Sequence, residues 1–195
     1  AKQNIEWSTE NAKSYTELYT AIHTGDIELQ KIKLSEQQRN LNSLGLDLGF
    51  IYHSAAINSE NTQKLSITPA KYVPTTLPGS RAPHINLIKD GKIISTLDLF
   101  EKEFVLLIGS DGGQWRIVAD KLSKTLPFPL NIYCIANDGD LTDPDNAWYE
   151  TYEVTKTGAV LVRPDGHVAW RCKSLASDKD SKTTELEKYF DLLIA

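Results

Sequence analysis

FVLLIGSDGGQWRIVADKLSKTLPFPLNIYCIA, residues 104–136, decides the architecture. Phe104 to Ile108 is an unbroken apolar run of strand length, closed by Gly109. Ser110 or Asp111 then leads into a helix in which Trp115, Val118, Ala119 and Leu122 recur at helical spacing, and Pro127 stops it. A second strand is predicted over Asn131 to Ala136. Strand, helix and strand in that order form a right-handed crossover, which lays the two strands parallel in one sheet.

Working outward, Asp143 to Val154 suits a short helix around Trp148, Tyr149 and Tyr152. Ala159 to Arg163 and His167 to Cys172 read as strands joined by a tight reversal at Pro164, Asp165 and Gly166. Glu185 to Ile194 closes the chain as an amphipathic helix. The order β, α, β, α, β, β, α is the thioredoxin arrangement. The fold class is therefore α/β: a thioredoxin-like domain, its central mixed sheet flanked by helices, preceded by an α-helical N-terminal extension.

Upstream, Ile85 to Ile88 and Lys92 to Thr96 flank Asp90 and Gly91, a hairpin signal. From residue 58 to 80 the chain is rich in Ser, Thr, Asn and Pro, and reads as an extended connector between two units. Before it lie two helices. Ser8 or Thr9 is expected to cap the first, with Ala12, Tyr15, Leu18, Tyr19 and Ile22 on its apolar stripe and Gly25 as its stop. The second is predicted from Asp26 to about Ser43, with Gly45 as terminator and a solvated face around Glu36, Gln37 and Gln38. Two helices without a sheet have nowhere to bury both stripes. The domains so read are residues 1–57, 58–80 and 81–195.

The 195 residues carry a net charge of −5 and no Lys/Arg stripe, so neither nucleic acid nor membrane is an expected partner. No apolar stretch is long enough to span a bilayer and no signal peptide opens the chain, which points to the cytoplasm. The chain has no methionine, so Ala1 is not expected to be a translation start. Cys134 and Cys172 are read as free thiols with the packing role of small hydrophobes.

Thiol chemistry on this fold needs a cysteine at the start of the first helix, where the dipole stabilises a thiolate. The loop from Gly109 to Trp115 holds none, and Lys156, Thr157 and Gly158 stand where a proline usually enters the third strand. The four histidines lie in separate segments without metal-ligand spacing. Asp138, Asp140, Asp143 and Asp145 lack the spacing of a calcium loop and read as a solvated acidic loop.

LGLDLGFIYHSAAI at 44–57, PGSRAPH at 78–84, STLDLF at 95–100 and GAVLVRPDGHVAWR at 158–171 resemble the C-terminal portion of FAD-dependent aromatic-ring hydroxylases, of the phenol hydroxylase and polyketide hydroxylase type. The resemblance implies that residues 1–57 are the tail of a flavin and substrate region, with a thioredoxin-like domain appended. It implies FAD and NAD(P)H for a full-length monooxygenase. It also implies, as partner, the flavin-binding domain of the same or a parent polypeptide, or a second copy in a homodimer. The Gly-x-Gly-x-x-Gly turn that would hold FAD is absent from the chain, so no catalytic, cofactor or metal residue is assigned to it. Arg81, His84, Trp115, Arg163, Asp165, His167 and Trp170 are expected to serve structure or docking. The competing reading is a stand-alone thioredoxin-like binding module, with the loop around Trp115 as its contact surface.

Overall fold

The computed structural model describes residues 2–40, 44–54, 57, 71–175 and 179–194, which fall into two compact units. The smaller is built on the helices that precede Ile51; the larger includes residues 51–54 and runs from Pro74 onward.

In the smaller unit, α1 spans Lys2–Thr24, α2 spans Ile27–Asn40 and α3 spans Leu44–Gly49. α1 begins upstream of the expected cap. Thr9 lies inside it, its hydroxyl donating to the Ile5 carbonyl at 2.8 Å, a bond that helix-interior threonine makes without needing to cap. Gly25 turns the chain at φ +72°, and Asp26 caps α2 by accepting from the Leu29 amide at 3.0 Å. Gly45 does not terminate α2; it is buried within α3, and residues 41–43 lie outside the described part. Of the face expected to be solvated, the side chain of Gln38 lies outside the described part, and the two residues before it are half-buried or buried. Gln37 is buried, and Glu36 accepts from Ser14 of α1 at 2.9 Å. Lys33 of α2 bridges Glu36 at 2.9 Å and Glu17 of α1 at 2.7 Å. Polar groups therefore fasten the two helices to each other.

The larger unit opens with the hairpin β1 (Asn86–Lys89) and β2 (Lys92–Ser95), which turns through Asp90 and Gly91, both at positive φ. Then come β3 (Phe104–Ile108), α4 (Gly113–Leu122), β4 (Leu130–Cys134), α5 (Trp148–Thr151), β5 (Ala159–Val162), β6 (Val168–Cys172) and α6 (Lys179–Ile194). The last helix starts upstream of the predicted Glu185. The hairpin stands apart as its own sheet, and the remaining strands form a sheet in the order β4-β3-β5-β6. β4 runs parallel to β3, whereas β5 is antiparallel to β3 and β6 to β5, which is the connectivity predicted from the sequence.

Strand alternation, shifted on β6 by a bulge between Val168 and Trp170, sends side chains into two cores. Leu106, Ile108, Leu161, Trp170 and Cys172 pack with Trp115 of α4 and with Leu186 and Phe190 of α6. Val105, Leu107, Val160, Val162 and Val168 pack on the opposite face with Leu87 of the hairpin and with Trp148 and Tyr152. Of the connector predicted over 58–80, residues 58–70 lie outside the described part, while Thr76, Pro78, Gly79 and Ser80 are buried in the larger unit. Gly79 donates to Val168 at 2.7 Å, Val168 to Ser80 at 2.9 Å and Ala82 to Gly166 at 2.9 Å, so this segment covers the β6 edge. No helix among the described residues is long and apolar enough to cross a membrane.

Candidate functional site

The loop from Gly109 to Gly112, where redox-active members of this fold carry their thiolate, is closed by its own backbone. Gly109 donates to the Gly158 carbonyl at 3.1 Å, Asp111 to Lys156 at 2.8 Å and Gly112 to Gly109 at 2.9 Å. A Cβ on Gly109 would lie 2.5 Å from the Lys156 oxygen, so glycine is required for this close approach. α4 is capped by Gly112 without a side-chain bond, in place of the expected Ser110 or Asp111. Ser110 instead meets Tyr149, with 3.3 Å between the hydroxyl oxygens.

A Cβ on Gly112 would lie 2.8 Å from the Gly109 oxygen, whereas Gly113 at the start of α4 faces open space. The nearby guanidinium of Arg116 is paired with Asp140, and Asp111 adds negative charge at the helix start. No group of His, Cys, Asp and Glu among the described residues could hold a metal ion.

Both cysteines are free thiols. Cys134 is half-buried beside the loop, its Sγ 3.7 Å from the Gly109 oxygen; burial first, and then the Asp140 charge, push its pKa up. Cys172 is buried and donates to the Ser174 carbonyl at 3.3 Å. Neither is poised as a nucleophile.

Arg163, Asp165 and His167 come together at the β5–β6 turn. Arg163 pairs with Asp165 at 2.8 Å, and the His167 amide donates to Asp165 Oδ1 at 3.2 Å. The His167 ring is buried and meets the edge of Tyr52 at 4.8 Å. Arg81 joins this group through a backbone bridge to His167, and its side chain is exposed. An open cleft of about 310 Å³ borders the turn, lined by Phe104, Pro164, Leu193 and the Arg163–Asp165 pair. His84 stands elsewhere, with Nδ1 2.7 Å from Ser95 Oγ in the capping box that opens the 3₁₀ turn Thr96–Leu99.

Trp115 and Trp170 belong to the core. Their rings meet edge to face at 5.2 Å; Trp115 Nε1 donates to the Thr157 carbonyl at 2.8 Å and Trp170 Nε1 to Glu185 at 3.2 Å. Trp115 has no exposed surface, so it cannot itself be the contact surface of a binding module.

One polar cluster escaped the sequence reading. Arg171 is buried on β6, donating to Thr76 Oγ1 at 2.8 Å and to Glu153 Oε2 at 3.3 Å, while Thr76 donates to the Tyr152 carbonyl at 2.7 Å. Lys173 completes it, 2.8 Å from Glu153. Lys173 first and Arg171 second hold the Glu153 carboxyl below its ordinary range, against some desolvation. The available signal was a charged residue inside a strand whose neighbours are all apolar, since a buried guanidinium requires partners. The cluster clasps residues 74–80 to the sheet, with Arg171 and Thr76 buried and the Glu153–Lys173 pair at the surface.

Known proteins resemble the chain as follows. Residues 75–192 match the family model described as aromatic-ring hydroxylase, C-terminal. Tetracenomycin A2 monooxygenase-dioxygenase of Streptomyces glaucescens is 46% identical over 110 residues, covering 56% of this chain and 20% of that protein. 4-Methyl-5-nitrocatechol 5-monooxygenase of Burkholderia sp is 36% identical over 156 residues, covering 78% of this chain and 28% of that protein. The chain thus spans less than a third of these curated relatives' length. Among solved structures, the flavin-dependent monooxygenase PieE in complex with FAD and substrate matches with a TM-score of 0.79 at 25% identity, over 98% of this chain and 38% of that one. Aklavinone-11 hydroxylase with FAD and aklavinone matches at 0.65 and 35% identity, over 76% of this chain and 27% of that one.

Proposed function

The chain belongs to the family of aromatic-ring hydroxylase C-terminal regions, and we propose that it forms the C-terminal part of an FAD-dependent monooxygenase that hydroxylates an aromatic substrate of the phenol class. In that enzyme it serves as a redox-inactive docking or dimerisation module, with the flavin-binding domain of the parent polypeptide as its partner. FAD and NAD(P)H belong to that domain, and the compartment is the cytoplasm. The observation that carries this reading is the match of residues 75–192 to the C-terminal region of aromatic-ring hydroxylases, on a chain whose loop from Gly109 to Trp115 holds no thiol. Flavin chemistry then has to be supplied from outside these residues.

Two measurements test the reading. The purified chain is expected to be colourless and to leave NADPH unoxidised when FAD and phenols are added. A yellow protein with stoichiometric flavin overturns this. The native gene product is expected to have a mass far above that of the 195-residue chain, to bind FAD and to consume NADPH in the presence of a phenol. A native product of only this length overturns the assignment to a larger enzyme.

A further inference from the structure

We propose that the cleft beside the β5–β6 turn is a binding site for a small neutral phenol, an aromatic ring bearing one hydroxyl group; the proposal goes beyond the functional reading above and does not rest on it. Three separate segments build the cleft. The register that pairs Val105 with Val162 brings Phe104, at the start of β3, opposite Arg163, just past the end of β5. Pro164 and Asp165 follow in the turn, and Leu193 closes the cleft from the last turn of α6. Phe104, Pro164 and Leu193 are each half-buried, and Phe190 of the core backs Phe104 edge to face at 6.1 Å. The apolar walls are thus held in place by the fold itself.

The polar end of the cleft selects the ligand. Arg163 donates from Nη2 to Asp165 Oδ2 at 2.8 Å, and its Nη1 and Nε groups make no bond among the described residues. Asp165 Oδ1 accepts from the His167 amide at 3.2 Å, which fixes the carboxylate in the turn while Oδ2 keeps a second lone pair open. The two side chains are 27% and 44% exposed, so a ligand can reach both. Burial pushes the Tyr189 hydroxyl up, with the charges of Arg163 and Asp165 acting on it in opposite directions, so it stays neutral and adds no charge. A carboxylate ligand would gain from Arg163 and lose to Asp165. A hydroxyl matches both, since it accepts from the guanidinium while it donates to the carboxylate.

Size and shape suit a single ring. The cleft of about 310 Å³ stands at the lower limit of small-ligand sites, roughly 300 Å³. Burial of a ring between Phe104, Pro164 and Leu193 supplies the affinity, and the Phe104 ring favours an aromatic face or edge over an aliphatic chain. The ion pair supplies the selection: a ring with no donor would cover the Asp165 oxygen and leave it without a partner.

The test titrates the 195-residue chain with 4-fluorophenol and follows its fluorine and backbone amide NMR signals. Saturable shifts are expected at Phe104, Arg163, Asp165, Gly166 and Leu193, and none at Ser110 or Trp115. 4-Fluoroanisole, which lacks the donor, and 4-fluorobenzoate, which carries a full charge, are each expected to bind roughly tenfold more weakly. This series on the wild type decides without any variant. Two variants sharpen it: Leu193→Trp fills the cleft and should weaken 4-fluorophenol at least about tenfold, while Asp165→Asn frees Arg163 and should reverse the preference in favour of 4-fluorobenzoate. Shifts that do not saturate or that centre elsewhere, equal affinity for 4-fluoroanisole, tighter binding of 4-fluorobenzoate to the wild type, or unchanged affinity in a folded Leu193→Trp each overturns the proposal. None of these readouts involves flavin or NADPH, so their failure leaves the functional reading standing, and failure of the colour and NADPH tests leaves this site standing.

Discussion

The two units bury their apolar residues to opposite degrees. In the sheet unit Trp115, Trp148, Trp170 and Tyr152 have essentially no exposed surface. In the helical unit Tyr15, Tyr19, Ile22, Ile27 and Ile32 are all more than half exposed. Amphipathic periodicity of similar quality predicts both regions, but periodicity states only that a residue has a preferred face. Whether that face is covered depends on how much surrounding structure the chain supplies. Around the strands it supplies two layers, and around α1 it supplies one.

The largest effect that can break this comparison is expected at Trp170. Truncation to alanine removes the edge-to-face contact with Trp115 and the hydrogen bond to Glu185, and should cost about 3 to 5 kcal/mol in denaturant unfolding. A loss below about 1 kcal/mol would mean that the sheet unit does not depend on its core.

Next comes Gly79. It sits at φ +95°, and a Cβ there would lie 2.2 Å from the Tyr52 carbonyl oxygen. Gly79→Ala should therefore cost about 2 to 4 kcal/mol and release residues 74–80 from the β6 edge, detectable as lost amide protection at Val168. An alanine variant with unchanged unfolding and unchanged protection would show that the segment is laid on the sheet and does not brace it.

The strands of the sheet unit were legible for a physical reason: Phe104 to Ile108 is apolar at every position, and both hairpin turns carry the glycines their geometry requires, Gly91 at φ +75° and Gly166 at φ +76°. Helix starts were less legible. Thr9 has the side chain of a cap, but the same hydroxyl satisfies itself inside a helix by bonding back to Ile5, and nothing local distinguishes the two uses. Of the candidate residues, Arg163, Asp165 and His167 are close in sequence and their grouping at the turn follows from that. The Arg171 clasp was illegible because Thr76 and Glu153 reach it from distant segments. Trp115 was placed by its spacing with Val118, Ala119 and Leu122 on the apolar face of α4, and its ring does turn into the core while Ser110 and Asp111 before it are exposed.

A smaller effect should separate the clasp from the core. The Glu153 carboxyl titrates below its ordinary range when folded, so its contribution to stability is complete above the unfolded value and fades as pH falls through the folded one. Unfolding midpoints of the wild type should therefore decline on acidification below about pH 4.5 more steeply than those of Glu153→Gln. Parallel pH curves would mean that Lys173 and Arg171 do not favour the charged carboxyl in solution.

The smallest effect is expected on α1, and its smallness is what gives the comparison its force. Tyr15 presents an aromatic ring that the chain leaves half exposed, so replacing it by glutamine removes little packing and should change stability by no more than about 0.5 kcal/mol. Native-state hydrogen exchange reads this locally: α1 and α2 should be less protected than β3, and Tyr15→Gln should leave their protection within about twofold. The sign of any residual change has two sources, since glutamine favours a helix more than tyrosine does while the lost ring leaves Ala12 and Tyr19 less shielded. If instead the substitution lowers α1 protection to the degree that Trp170→Ala lowers that of β3, the exposed face of α1 is already covered in the isolated chain. The contrast between a covered sheet and an uncovered helix would then have to be given up.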